Sequence, residues 1–114
     1  GVKQAIASSA PYENIRVSLD TFDLWQYFDE AVSGEFLPSK PDPAVFFKAA
    51  EALGVPAGDC LVVEDSEPGV LGGHRAGMAV ICKLGTVKQA PDYVLAAFEA
   101  FPEDPESFFA GLKD

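Results

Sequence analysis

Two short runs in this chain are apolar without a break: Cys60-Leu61-Val62-Val63 and Met78-Ala79-Val80-Ile81-Cys82. A strand with one wet face alternates apolar and polar side chains, whereas a strand covered on both faces need not. Runs of this length, bounded by turn residues, read as strands of a parallel sheet. Neighbouring parallel strands need a crossover between them, usually a helix. The intervening segment supplies one, a glycine-rich helix that Ser66 and Pro68 start and Gly77 ends.

The rest of the chain extends the same alternation. Gln4-Ala5-Ile6-Ala7 reads as a buried strand, followed by the polar turn Ser8-Ser9-Ala10-Pro11. Residues 14–28 carry Ile15, Leu19, Phe22 and Tyr27 at mostly helical spacing. Ala31-Val32-Ser33 is a weaker strand closed by Gly34. Asp42 as cap and Pro43 at the first helical position open the clearest helix, which Gly54 stops; Val45, Phe46, Ala49, Ala50 and Leu53 form its inner face. Asp92-Tyr93-Val94 is expected to be a last short strand, and Asp104-Pro105 to begin a terminal helix through Leu112. The order β-α-β-α-β-α-β predicts an α/β, Rossmann-like parallel sheet with helices on both faces. No internal repeat or linker divides residues 1–114, and 114 residues suit one domain.

Charge narrows the partners. Eighteen acidic and eight basic side chains leave a formal net charge of −10, which repels nucleic-acid phosphates and anionic lipids. No apolar stretch approaches the ~20 residues of a membrane span. No secretory leader is expected from Gly1-Val2-Lys3-Gln4, and Cys60 and Cys82 are too few for a disulfide scaffold and lack zinc-like spacing. Placed on neighbouring parallel strands, they would be offset by about three residues, roughly 10 Å, beyond disulfide reach. Two buried thiols in a reducing cytoplasm are expected.

In an open parallel sheet the ligand site lies beyond the carboxyl ends of the strands. Three polar features fall there: Ser8-Ser9, Lys40 in the loop Leu37-Pro38-Ser39-Lys40-Pro41-Asp42-Pro43, and Glu64-Asp65-Ser66. Hydroxyl and backbone N–H groups, an ammonium and adjacent carboxylates on one rim suit a phosphoryl group beside Mg²⁺. The carboxylates supply hard oxygen ligands, and the donors hold the phosphoryl oxygens. Taken singly, each feature has a plain structural reading: a turn serine, a solvated lysine, a helix cap. Their order along successive βα units is the specific signal.

Ala5-Ile6-Ala7-Ser8-Ser9, Ser39-Lys40-Pro41-Asp42-Pro43 and the segment from Val62-Val63-Glu64-Asp65-Ser66 to Val70 resemble the second, third and fourth motifs of the haloacid dehalogenase (HAD) superfamily. Its β-phosphoglucomutase and phosphoglycolate phosphatase-like branch is the most similar in flavour. The resemblance implies that Ser8 hydrogen-bonds a phosphoryl oxygen with help from the Ser9 N–H. It further implies that Lys40 neutralises the phosphoryl group and its carboxylate nucleophile, and that Asp65 binds Mg²⁺ with Glu64 in support. The implied activity of the intact protein is that of a Mg²⁺-dependent phosphatase of a small phosphorylated metabolite, acting through an aspartyl-phosphate.

The family's first motif, an apolar strand ending in Asp-x-Asp-Gly that carries the nucleophile, has no counterpart here. Asp20-Thr21-Phe22-Asp23 has the wrong spacing and lies in a helical pattern. The substrate-selecting cap has none either, so the chain resembles the C-terminal part of such a protein, an incomplete core expected to be inactive alone. In the family sheet the missing strand lies between residues 5–7 and 60–63. Its absence would expose two apolar edges, so completion by another polypeptide, self-association or a closing rearrangement is expected. A non-catalytic phosphate- or metal-binding remnant is the alternative from another class. A sugar-phosphate mutase is disfavoured because Ala10-Pro11 replaces polar residues, and a receiver-like domain because Glu64-Asp65 follow Lys40. His74 is expected on a helix surface, and Gly69, Gly72 and Gly73 at close helix–sheet packing.

Overall fold

The computed structural model describes residues 2–99. Its elements follow the order β1 (Ala5–Ser8), α1 (Tyr12–Thr21), β2 (Glu30–Ser33), α2 (Ala44–Leu53), β3 (Leu61–Glu64), α3 (Glu67–Arg75), β4 (Ala79–Lys83) and β5 (Ala96–Phe98). Every strand pairing is parallel, but the strands form two sheets, β1-β2 and β3-β4-β5. The α/β architecture with helices on both faces and an incomplete sheet is therefore as the sequence predicts.

One core sits beneath α2 and α3. Val45, Phe46, Ala49 and Ala50 from α2 meet Val70 from α3, Val32 from β2, Val62 from β3, and Val80 and Cys82 from β4. Helix α1 packs on β2 and buries Ile15 and Leu19 apart from that cluster, on the opposite face. Between β1 and β3, which do not pair, lies a largely apolar cavity of about 480 Å³ lined by Gln4, Ala5, Ala7, Phe46, Val62 and Glu64 among others. No rearrangement has closed the gap.

Local chemistry explains the element ends. Helix α2 begins at Ala44 with Pro43 as its N-cap, one residue later than the expected start at Pro43, while Asp42 Oδ1 still accepts from the Ala44 N–H at 2.9 Å. Gly54 ends α2 in the left-handed region (φ 69°), where a β-carbon meets no atom within 4 Å, so only backbone conformation requires glycine there. Gly54→Ala is expected to cost about 1 kcal/mol in urea unfolding, and Gly54→Asn less, because asparagine tolerates this conformation. Equal losses would show that the backbone is not the cause.

Three element assignments need correction. The helix expected over residues 14–28 begins at Tyr12 and ends at Thr21. Asp20 accepts from the Trp25 indole at 2.7 Å, Asp23 takes a left-handed conformation, and a separate short turn over Trp25–Tyr27 follows. The last strand lies at Ala96–Phe98 rather than 92–94. Tyr93 instead stacks on His74 with ring centroids 4.0 Å apart, and the Leu95 N–H donates to the Val80 carbonyl at 2.8 Å, leading the chain into the β4 ladder. Of the two cysteines, both free, only Cys82 is buried; Cys60 is half-buried and precedes β3. Leu61 pairs with Ala79, which sets Cys60 level with Met78 and four residues out of step with Cys82. The helix expected over 104–112 lies outside the described residues. Among the described residues no helix is long and apolar enough to cross a membrane.

Candidate functional site

The strand ends decide where the chemistry gathers. Ser8 is the last residue of β1 and Glu64 the last of β3, while Lys40 arrives on the loop from β2 to α2. The Gly34 N–H donates to the Ser8 carbonyl at 2.7 Å, which ties the start of that loop to the end of β1. Lys40 then reaches across the gap between the two sheets. Its Nζ donates to Glu64 Oε1 at 2.7 Å and to the Ala7 carbonyl at 3.3 Å. The same ammonium lies 5.1 Å from the centre of the Phe46 ring, within cation–π range. Lys40 and Glu64 are 16% and 13% exposed, so the attraction is less screened than a surface pair's.

The other predicted residues are arranged around this bridge. Ser8 is half-buried, and its Oγ accepts from the Ala10 N–H at 3.2 Å, which leaves the hydroxyl proton available to another acceptor. Ser9 and Asp65 are exposed. Asp65 follows Glu64 directly, and Glu64 pairs in register with Cys82. Burial pushes the Cys82 thiol up, and the charges of Asp65 and then Glu64 push it the same way, so it stays a protonated core thiol. Of the predicted residues, Lys40 and Glu64 are bonded to each other, and Ser8 directly follows Ala7, whose carbonyl also takes the Lys40 ammonium; Ser9 and Asp65 are the next residues along the chain. Asp20 is held on α1 by Arg16 and the Trp25 indole, which accords with its reading as helix surface. His74 is exposed on α3, stacked against Tyr93.

Two contributors to the site are not legible as such in the sequence: Phe46, which reads as core, and Gly69, which reads as a packing glycine. Ser66 reads as part of the Glu64-Asp65-Ser66 feature and as a helix start. Ser66 Oγ caps α3 by accepting from the Gly69 N–H at 3.1 Å, and it also donates to Glu64 Oε2 at 3.3 Å. The spacing Glu64-Asp65-Ser66-Glu67-Pro68-Gly69 was the signal available, since a residue just before an N-cap can fold back over the first turn.

Glu64 and Asp65 are oxygen donors of the kind a hard divalent cation requires. Among the described residues no group of three or more histidine, cysteine or acidic side chains could hold a metal ion. Glu64 and Asp65 are two such oxygen donors adjacent in sequence, and both Glu64 oxygens already accept hydrogen bonds, from Lys40 and Ser66.

The family model for haloacid dehalogenase-like hydrolases matches residues 1–83. The chain belongs to that family. It is 37% identical over 98 residues to the bifunctional riboflavin kinase/FMN phosphatase of Arabidopsis thaliana, covering 84% of this chain and 26% of that protein. To the phosphoglycolate phosphatase of Pseudomonas fluorescens (strain Pf0-1) it is 34% identical over 82 residues, 71% of this chain and 30% of that one. The crystal structure of a HAD phosphatase from Thermococcus onnurineus superposes with a TM-score of 0.77 at 26% identity, covering 88% of this chain and 47% of that one. This HAD-family chain thus falls in the phosphoglycolate phosphatase-like branch the motifs indicated, among relatives named as phosphatases. It spans less than a third of the two curated relatives and about half of the solved structure.

Proposed function

We propose that this HAD-family chain supplies the phosphate- and metal-binding side of a Mg²⁺-dependent phosphatase acting on a small phosphorylated metabolite. The observation that carries the reading is Lys40, whose ammonium spans from the Ala7 carbonyl beside Ser8 to Glu64 at the carboxyl ends of β1 and β3. In the proposed roles, the Ser8 hydroxyl donates to a phosphoryl oxygen and the Ser9 N–H adds a second donor. Lys40 offsets the negative charge that accumulates where a phosphate approaches carboxylates. Asp65 would hold Mg²⁺ with Glu64 supporting it directly or through water. When bound, the cation supplies charge neutralisation between the carboxylates and the phosphoryl oxygens.

The nucleophile of an aspartyl-phosphate route would come from outside these 114 residues, on an apolar strand ending in Asp-x-Asp-Gly. The slot between β1 and β3 suits such a strand, because both flanking strands run parallel to their neighbours and its lining is mainly apolar. The purified 114-residue chain, given Mg²⁺ and p-nitrophenyl phosphate, is accordingly expected to show no turnover above buffer. Turnover that disappears on Asp65→Ala would overturn this reading. Tight Mg²⁺ and phosphate binding by calorimetry, without turnover in any longer form of the protein, would favour a non-catalytic anion-binding module instead.

A further inference from the structure

Gly69 lies in the first turn of α3 and is buried. A β-carbon at this position would overlap Oε2 and Cδ of Glu64, and would lie 2.8 Å from Oε1. The collision differs in kind from those at the two neighbouring packing glycines. At Gly73 a β-carbon would press on Val80 and Val62, and at Gly72 on the Phe46 ring, so both positions face apolar core. Gly69 faces a carboxylate.

We infer that Gly69 is a positioning residue for the Lys40–Glu64 pair: its missing side chain is the notch in which the Glu64 carboxylate rests. Three features of the same turn act together. The absent β-carbon leaves the volume, the Ser66 hydroxyl donates to Oε2, and the amino end of α3 attracts negative charge. From this notch Oε1 meets Lys40 Nζ at 2.7 Å across the split between the sheets. An added methyl group meets the end of a flexible side chain rather than backbone, so the fold can absorb it by moving Glu64. What is lost is the carboxylate's place against Lys40. In the setting of the proposed phosphatase, Gly69 would thereby set where Glu64 stands relative to both Lys40 and Asp65.

The experiment is competitive amine labelling of the full chain with an acetylating reagent, read residue by residue by mass spectrometry, with Lys3 and Lys48 as internal references. Gly69→Ala is expected to raise Lys40 labelling several-fold, to the level of Glu64→Ala. The double variant Glu64→Ala/Gly69→Ala should rise no further than either single one. Gly73→Ala, which strains the core without touching the pair, should leave Lys40 labelling unchanged relative to the references. Unaltered Lys40 labelling in Gly69→Ala, or an equal rise in Gly73→Ala, would overturn the assignment. Should Gly69→Ala fail to fold, the double variant decides: folding restored by Glu64→Ala supports the notch, and folding not restored refutes it. The readout needs neither substrate nor metal, so its failure would count against Gly69 alone and leave the phosphatase reading standing.

Discussion

Phe46→Ala is expected to destabilise the chain by about 3–5 kcal/mol, the range for removing a buried aromatic ring. The ring is 4% exposed and holds together parts that the gap in the sheet keeps apart. It projects from α2, lies where a β-carbon at Gly72 of α3 would come within 2.9 Å, lines the cavity between β1 and β3, and sits beneath the Lys40 ammonium. Few neighbours can collapse into the space it leaves, because one side of that space is already the cavity. Single domains have total stabilities of about 5–15 kcal/mol, so this loss is a large fraction of what holds the chain folded. Urea unfolding of the wild type, Phe46→Leu and Phe46→Ala checks it, with Phe46→Leu keeping most of the apolar volume and losing the least. A loss under about 1 kcal/mol for Phe46→Ala would contradict the role given to the ring.

Lys40→Met is expected to act on stability and on chemistry together. It removes the ammonium and leaves the Glu64 carboxylate, 13% exposed, with the Ser66 hydroxyl as its remaining side-chain donor. Breaking a fully buried pair costs about 3–5 kcal/mol; here both groups still see some water, which brings the expectation down to roughly 1–3 kcal/mol. Lys40→Met/Glu64→Leu should recover most of that loss, because the penalty comes from an unpaired charge rather than from the pair's net worth. In a longer form of the protein that turns over a phosphate ester, Lys40→Met should lower kcat/KM by about a hundredfold or more, the scale of losing one strong donor to a developing charge. Stability and turnover both unchanged would sink the claim that Lys40 bridges the two sheets at the site.

Much of this was legible beforehand because it is recorded locally. Uninterrupted apolar runs mark strands, and β3 and β4 fell where those runs lie, but only β4 is buried on both faces. On β3 Val62 is buried while Leu61 and Val63 stay 42% and 47% exposed, a correction to the two-sided cover the run predicts. Cap and stop residues bracket α2 and α3 closely, since Asp42, Gly54 and Ser66 act on backbone groups only a few residues away. The misreadings share a cause. Helix α1 stops early because Asp20 turns to the Trp25 indole, and β5 forms at Ala96-Ala97-Phe98 because β4 offers a parallel edge there, although alanine is a weak strand former. Both outcomes depend on a partner that the local pattern does not name.

The sequence by itself determined the alternation of strands and helices, the strand ends on which Ser8 and Glu64 sit, and the family. Its evidence for these is periodicity, turn chemistry and motif order, all properties of neighbouring residues. Only the tertiary structure decided that Lys40 crosses from Ala7 to Glu64, that Phe46 lies beneath it, and that Gly69 makes room for the carboxylate. Those contacts join residues up to 33 positions apart, and strand register and helix packing set their distances. A few tenths of an ångström there separate a hydrogen bond from a collision, and local pattern carries no information at that scale.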